Sequence, residues 1–342
     1  MSQPVRFDSD NTATACPEML AAIAAANHGL AVAYGDDPWT QRLDAVLGGF
    51  FGTELRAFAV ATGTAANALA LSTVSPTYGW IYCHGEAHIV TDECAAIGFF
   101  SGGAQLATLP GEHARFTAEA LERALDEHPT SLHSPQPAAV SVTQATEYGT
   151  VYRARELTEL AGLAHRRGLK VHMDGARFAN AVTFLGCHPG DITWRAGVDV
   201  LSFGATKNGA LAAEAVVFFD LALARDFELR RKRAGHLLSK SRYVAAQLTA
   251  YVEGDLWRRN AERTNRLAQQ IGTAAGSALL HPVEANEVFL GLGIERRRAL
   301  REAGFQFLDW GADAAGEARF VVAWDQPDGD VPAVCAALER LL

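Results

Sequence analysis

The chain has 342 residues, roughly two domains at about 150 residues each, and carries 39 acidic against 30 basic side chains, a formal net charge of −9. Hydrophobic residues make up 49% and charged residues 20%, which excludes a disordered polymer and makes a sequence-independent attraction to nucleic acid or anionic lipid a poor first reading. The longest apolar stretch, Leu211 to Ala224, is broken by Glu214 and Asp220, so no membrane span is expected. The N-terminus lacks an apolar leader core, and five cysteines, Cys16, Cys83, Cys94, Cys187 and Cys335, cannot all pair within one chain. A reducing cytoplasm is the expected compartment.

In chain order, a polar arm over residues 1–14 comes first. Apolar strand-like runs then alternate with helical stretches: Phe58 to Ala61, Trp80 to Cys83, Gln105 to Leu109, Ala138 to Thr143, Leu169 to Met173, Val198 to Phe203 and Ala215 to Phe219. That alternation predicts an α/β fold with a mainly parallel sheet flanked by helices. Between two of the strands, Glu156 to Arg167 places Leu157, Leu160, Ala161 and Ala164 on one face and ends in basic residues before Gly168, the pattern of a crossover helix. From about Asp226 the chain turns helical, and Val288 to Leu292 and Ala318 to Trp324 read as further strands before a last short helix. The expected division is a large domain over 15–240 and a smaller α+β domain over 241–342.

Three motifs carry chemistry. In FAVATGTAANALALSTV, Gly63 and Thr64 fall between a strand and a helix, where the free N–H groups and dipole of a helix N-terminus suit a phosphate on Gly63, Thr64 and Ala65. A tight turn capped by Thr64 explains the same letters. In KVHMDGARFANA, Asp174 ends an apolar strand and Arg177 follows, at the sheet edge where ligands of open parallel sheets bind; a helix cap paired with Arg177 is the structural alternative. In VDVLSFGATKNGAL, Lys207 follows another buried strand at the same edge, where desolvation frees an amine for Schiff-base chemistry. No GxxxxGK[ST] and no GxGxxG after a strand occurs, which removes the main support for ATP or dinucleotides. A phosphate cradle, a strand-end carboxylate and a strand-end lysine together suit pyridoxal phosphate, whose ring accepts carbanion electrons when its pyridine nitrogen stays protonated.

With DGARFANA, SFGATKNG, TGTAAN, FDSDNT with YGDD, and HIVTDECAAIGFFSGG, the sequence resembles the fold-type-I pyridoxal-phosphate enzymes of the L-threonine aldolase and β-eliminating lyase group, in particular low-specificity L-threonine and phenylserine aldolases. The resemblance runs from about Phe7 to Trp324. It implies Lys207 as the Schiff-base lysine, Asp174 as partner of the pyridine nitrogen, Gly63 and Thr64 as phosphate ligands and His88 as the imidazole stacked on the ring. Ser9, Arg177 and Arg319 would hold the substrate carboxylate. The implied reaction is cleavage of an L-β-hydroxy-α-amino acid to glycine and an aldehyde, with β-elimination or transamination as the alternative. His88, His133 or a water is the expected base for the hydroxyl, and Glu93 is expected to hold His88. The run His84, Glu86, His88 is not expected to bind metal, because Gly85 and the preceding strand break the helix an HExxH pair needs. The resemblance further implies a homo-oligomer, a dimer or dimer of dimers. The arm with Ser9, which lacks an apolar face of its own, is expected to pack at a subunit boundary near Tyr34, Asp36 and Asp37.

Overall fold

The structure, a computed structural model, describes residues 4–129, 131–311 and 316–342. Twelve strands are present among them: β1 Val5–Arg6, β2 Arg56–Val60, β3 Gly79–His84, β4 Gln105–Leu109, β5 Gln136–Thr143, β6 Lys170–Gly175, β7 Val200–Gly204, β8 Glu214–Phe218, β9 Glu287–Gly291, β10 Phe305–Gln306, β11 Leu308–Trp310 and β12 Glu317–Val321. Seven form one sheet in the order β2-β8-β7-β6-β5-β3-β4. Strands β7, β6, β5, β3 and β4 run parallel, while β8 is antiparallel to both of its neighbours. The sheet is thus mainly parallel as the alternating pattern predicts, and its central strands β6, β7 and β8 are buried on both faces, as strands between helix layers require. The crossover helix spans Ala154–Arg166 and buries Leu157, Leu160, Ala161, Leu163 and Ala164. Gly168 follows at φ +77°, a conformation that glycine adopts without strain.

Strands β11, β12 and β9 form a second, antiparallel sheet. It packs with the later part of the helix Leu256–Ala275 and with the last helix, Asp330–Leu341, around Leu267, Ile271, Leu290, Leu300, Phe320, Val334 and Leu338. The helix Arg242–Glu253 and the start of Leu256–Ala275 instead contribute Leu248, Tyr251 and Trp257 to the core of the seven-stranded sheet. Packing therefore changes hands inside the long helix, downstream of residue 240.

The N-terminal arm departs from expectation. It folds back on its own chain: β1 pairs with β10, the Val321 amide donates to the Phe7 carbonyl at 2.8 Å, and the Trp324 indole donates to the Thr14 carbonyl at 2.6 Å. Phe7 is fully enclosed in the core of the small sheet. A buried aromatic, main-chain pairing and the buried Asp10, bonded to Arg177 and Asn286, anchor the arm within its own chain, devices that a search for a periodic apolar face does not detect.

Candidate active site

The carboxyl ends of β5, β6 and β7 open into a cavity of about 410 Å³, lined by Gly63, Thr64, His88, Asp174, Arg177 and Lys207 together with Asn67, Glu93, Glu147 and Glu214. One wall is the N-terminus of the helix Gly63–Val74. Its cap is Thr62, not Thr64: the Thr62 hydroxyl accepts the Ala65 amide at 3.2 Å. Ala65 is therefore already satisfied, and the first-turn amides left without a partner among the described residues are those of Gly63 and Thr64, both of which line the cavity.

The floor is a hydrogen-bonded chain of four residues. Asn67, a polar residue in an otherwise apolar buried helix face, donates both amide hydrogens, to Asp174 Oδ2 at 2.7 Å and to Glu93 Oε1 at 2.8 Å. The same Glu93 oxygen meets His88 Nδ1 at 2.9 Å, and this bond raises the proton affinity of the imidazole. Burial raises the Glu93 carboxyl in spite of those two partners. The other Asp174 oxygen, Oδ1, accepts the Ala176 amide at 3.0 Å. Beneath the aspartate, His172 is bracketed by the hydroxyls of Ser141 at 2.9 Å and Ser202 at 3.0 Å. Complete burial pushes its pKa down to about 4, so a neutral ring ties β5, β6 and β7 together.

Lys207 lies on the turn Thr206–Asn208 directly after β7. Gly209 follows at φ +111°, and a Cβ there would fall 2.5 Å from the Cys16 sulfur, so only glycine fits that bend. Glu214, at the start of antiparallel β8, reaches the same corner and accepts the Thr206 amide at 3.3 Å. Burial pushes its carboxyl up to about 7, against the opposing influence of Thr206 and Lys207.

The opposite wall is charged. Arg177 is mostly buried, its side chain 10% exposed, and grips Asp10 through Nε at 2.8 Å and Nη2 at 3.0 Å, while Nη1 stands 3.3 Å from Glu287 Oε2. Asn286 also donates to Asp10, at 3.0 Å. Arg319 contacts the far side of Glu287 at 3.9 Å, stacks over Trp310 and donates to the Asp8 carbonyl at 3.4 Å. Neither Glu287 oxygen has a hydrogen-bond donor among the described residues, and burial raises its carboxyl despite both arginines. Burial also works against Asp10, but Arg177, Lys207 and Asn286 outweigh it, and Asp10 ends below the usual carboxylate range.

The structure thus brings Gly63, Thr64, His88, Asp174, Arg177 and Lys207 into one cavity. Arg319 stands behind Glu287 outside that lining, and Ser9 caps the Asp10–Thr12 turn by accepting the Asn11 amide at 3.1 Å, with Asn11 rather than Ser9 at the cavity. His133 is not brought in. It is exposed in the loop ahead of Gln136, at the amino end of β5, and eight residues at about 3.3 Å each separate the two ends of that strand. Among the described residues no group of three or more His, Cys, Asp and Glu is arranged to hold a metal ion.

The residues fit the group that the motifs suggest. Two unused amides at a helix N-terminus suit a phosphate, a buried carboxylate held only by donors suits a protonated pyridine nitrogen, and the lysine stands on the same cavity. Comparison with known proteins agrees. Residues 6–294 match the family model described as beta-eliminating lyase. The chain is 42% identical to the low specificity L-threonine aldolase of a Pseudomonas species, covering 99% of each chain. It is 44% identical to that of Pseudomonas aeruginosa over 94% of this chain and 93% of the relative. Its fold matches a Leishmania major threonine aldolase with a TM-score of 0.92 at 24% identity, covering 99% of each chain.

Proposed function

The chain belongs to the β-eliminating lyase family, and from that premise we propose how the residues gathered at the strand ends perform its reaction. The protein is a pyridoxal-phosphate-dependent aldehyde-lyase that cleaves the Cα–Cβ bond of L-β-hydroxy-α-amino acids to give glycine and an aldehyde. Full-length identity of 42–44% to low specificity L-threonine aldolases is the observation that carries this reading. When bound, the cofactor supplies an aldehyde that captures amines and a conjugated ring that accepts the electron pair left on Cα.

In our assignment the amides of Gly63 and Thr64 would hold the phosphate, Asp174 would face the pyridine nitrogen, His88 would lie against the ring with its orientation set by Glu93, and Lys207 would be the amine that holds the aldehyde. Arg177 offers its Nη1 edge to the substrate carboxylate, because Nε and Nη2 are committed to Asp10. Arg319 supports that clamp from behind Glu287 and Ser9 by capping the turn that carries Asp10, and a substrate held by its carboxylate has its orientation, and therefore the bond that breaks, fixed.

We extend the substrate range to threonine, allo-threonine and phenylserine. Incubating the protein with each and identifying the aldehyde tests this; release of pyruvate or a keto acid in place of an aldehyde would support β-elimination or transamination. We further propose a smaller unit whose core begins near Leu267 and a cytoplasmic setting, consistent with all five cysteines being free. A homo-oligomer, dimer or dimer of dimers, is supported by exposed Leu30, Val32, Tyr34 and Leu229. Light scattering checks it: a fully active 36.6 kDa species would contradict the assembly.

A further inference from the structure

Glu147 is one of the cavity acids that neither the cofactor cradle nor the carboxylate wall uses. Glu147 follows the end of β5 and precedes a sharp turn at Gly149, φ +69°, where a Cβ would stand 3.0 Å from that of Glu287. Its Oε1 accepts the Thr143 hydroxyl at 2.8 Å and the main-chain amide of His88 at 2.8 Å. The carboxyl group is therefore pinned between the end of β5 and the short helix His88–Thr91. Its Oε2 is buried without a hydrogen-bond donor among the described residues, and the side chain lines the cavity with His88, Asp174, Arg177 and Lys207. A fixed carboxylate with one oxygen satisfied and the other left for a ligand is a poor structural element and a good receptor for an O–H donor.

Resting on the aldolase reading above, we propose that Glu147 is the catalytic base that takes the proton of the substrate's β-hydroxyl. In that step the hydroxyl O–H bond breaks and its proton moves to the Glu147 carboxylate. The freed oxygen pair closes the C=O bond of the departing aldehyde, and the Cα–Cβ pair remains on the glycyl carbon. That carbon later gains a proton, so the net change moves one proton from oxygen to carbon and needs no oxidant or reductant. Run backwards, Glu147 returns the proton to the new hydroxyl.

The neighbours favour Glu147 over His88 for this role. His88 is tied through Nδ1 to Glu93, which raises its proton affinity and favours the charged ring, a form with no lone pair to accept a proton. Burial, reinforced by the charge of Asp174 and opposed by the His88 amide and the Thr143 hydroxyl, pushes Glu147 up to about 7, where one carboxyl group can both accept and donate. The other titratable and charged groups that sense it are Cys83, Tyr152 and Arg177.

The test separates cleavage from a reaction that lacks the hydroxyl. The cofactor-loaded wild type, Glu147→Gln and Glu147→Asp are assayed for acetaldehyde release from L-threonine across pH 5–9, and by NMR for exchange of the glycine α-hydrogen with deuterated solvent. Glycine exchange needs the cofactor, Lys207 and the carboxylate clamp but no hydroxyl base. Glu147→Gln should lose about a hundredfold in cleavage while exchange stays within about threefold of wild type. The acid limb that wild-type kcat/KM shows near pH 7 should be missing from its residual activity, and Glu147→Asp should recover part of the loss. Cleavage close to the wild-type rate in Glu147→Gln, or cleavage and exchange falling together in both variants, would overturn the proposal. A wild type that releases no aldehyde would instead overturn the functional reading.

Discussion

The two sides of the cavity are built by different physics. The floor, Asp174–Asn67–Glu93–His88, is relayed through a neutral amide with links of 2.7–2.9 Å. The wall sets two guanidinium groups, Arg177 and Arg319, against two buried carboxyl groups, Asp10 and Glu287, one of which has no hydrogen-bond donor among the described residues. A group that stays bound is best met by oriented dipoles that need no rearrangement. A substrate carboxylate that comes and goes is best met by charges already balanced in its absence, because an unpaired buried guanidinium is costly. On the proposed clamp assignment, Asp10 and Glu287 balance the charge of Arg177 and Arg319 between turnovers.

Four experiments break or sharpen this contrast. The largest effect on turnover is expected on the floor: Asp174→Asn keeps the shape but loses a charge-assisted contact worth roughly 1.5–3 kcal/mol. Turnover should fall about 10- to 100-fold, with cofactor still bound by absorbance; unchanged turnover would reduce Asp174 to a helix cap. On the wall, Asp10→Ala strands Arg177 in a buried site and should destabilise the fold by about 3–5 kcal/mol in denaturant melts. Asn67→Ala should cost less, about 1–3 kcal/mol. Equal losses for the two variants would erase the distinction.

Arg319→Lys keeps the charge and removes the planar fork, so KM for threonine should rise about tenfold while cofactor affinity is unchanged. The smallest effect is in stability against pH. Glu214 sits near 7 in the fold against an ordinary 4.5, so the folded state binds the extra proton and the contribution of this group is full below 4.5 and lost as pH rises through 7. Glu214→Gln should flatten that decline by a few degrees in melting temperature, with the crossover between pH 5 and 7. A steeper decline would mean that Lys207 holds the carboxylate ionised.

The same contrast explains what could be read from the sequence. The floor sits on motifs contiguous in the chain, and strand ends plus glycine-rich turns are enough to put Lys207, Asp174, Gly63 and Thr64 at one sheet edge. The signal for Asn67 is an amide among the alanines of the first turns of a buried helix, and for Glu214 its opening an otherwise apolar strand. The wall was half legible: Arg177 and Arg319 follow from motif resemblance, whereas their partners Asp10 and Glu287 come from segments far apart in the chain, a pairing that no local pattern encodes. Glu147, in a TEYG turn, has no local signature at all. His133 shows the limit of the same reading, since nearness to a strand in sequence does not say which end of the strand a loop occupies.

The central claim is that Lys207 holds the cofactor. The chain has three other lysines, Lys170, Lys232 and Lys240, and Lys170 is engaged with Asp199 and Asp220 at the beginning of β6, at the far end of the strand from the cavity. Borohydride reduction of the protein loaded with pyridoxal phosphate, followed by peptide mapping, reads the attachment point directly. The account predicts the label on Lys207 alone, and none in Lys207→Ala; a label on any of the other three lysines would contradict it.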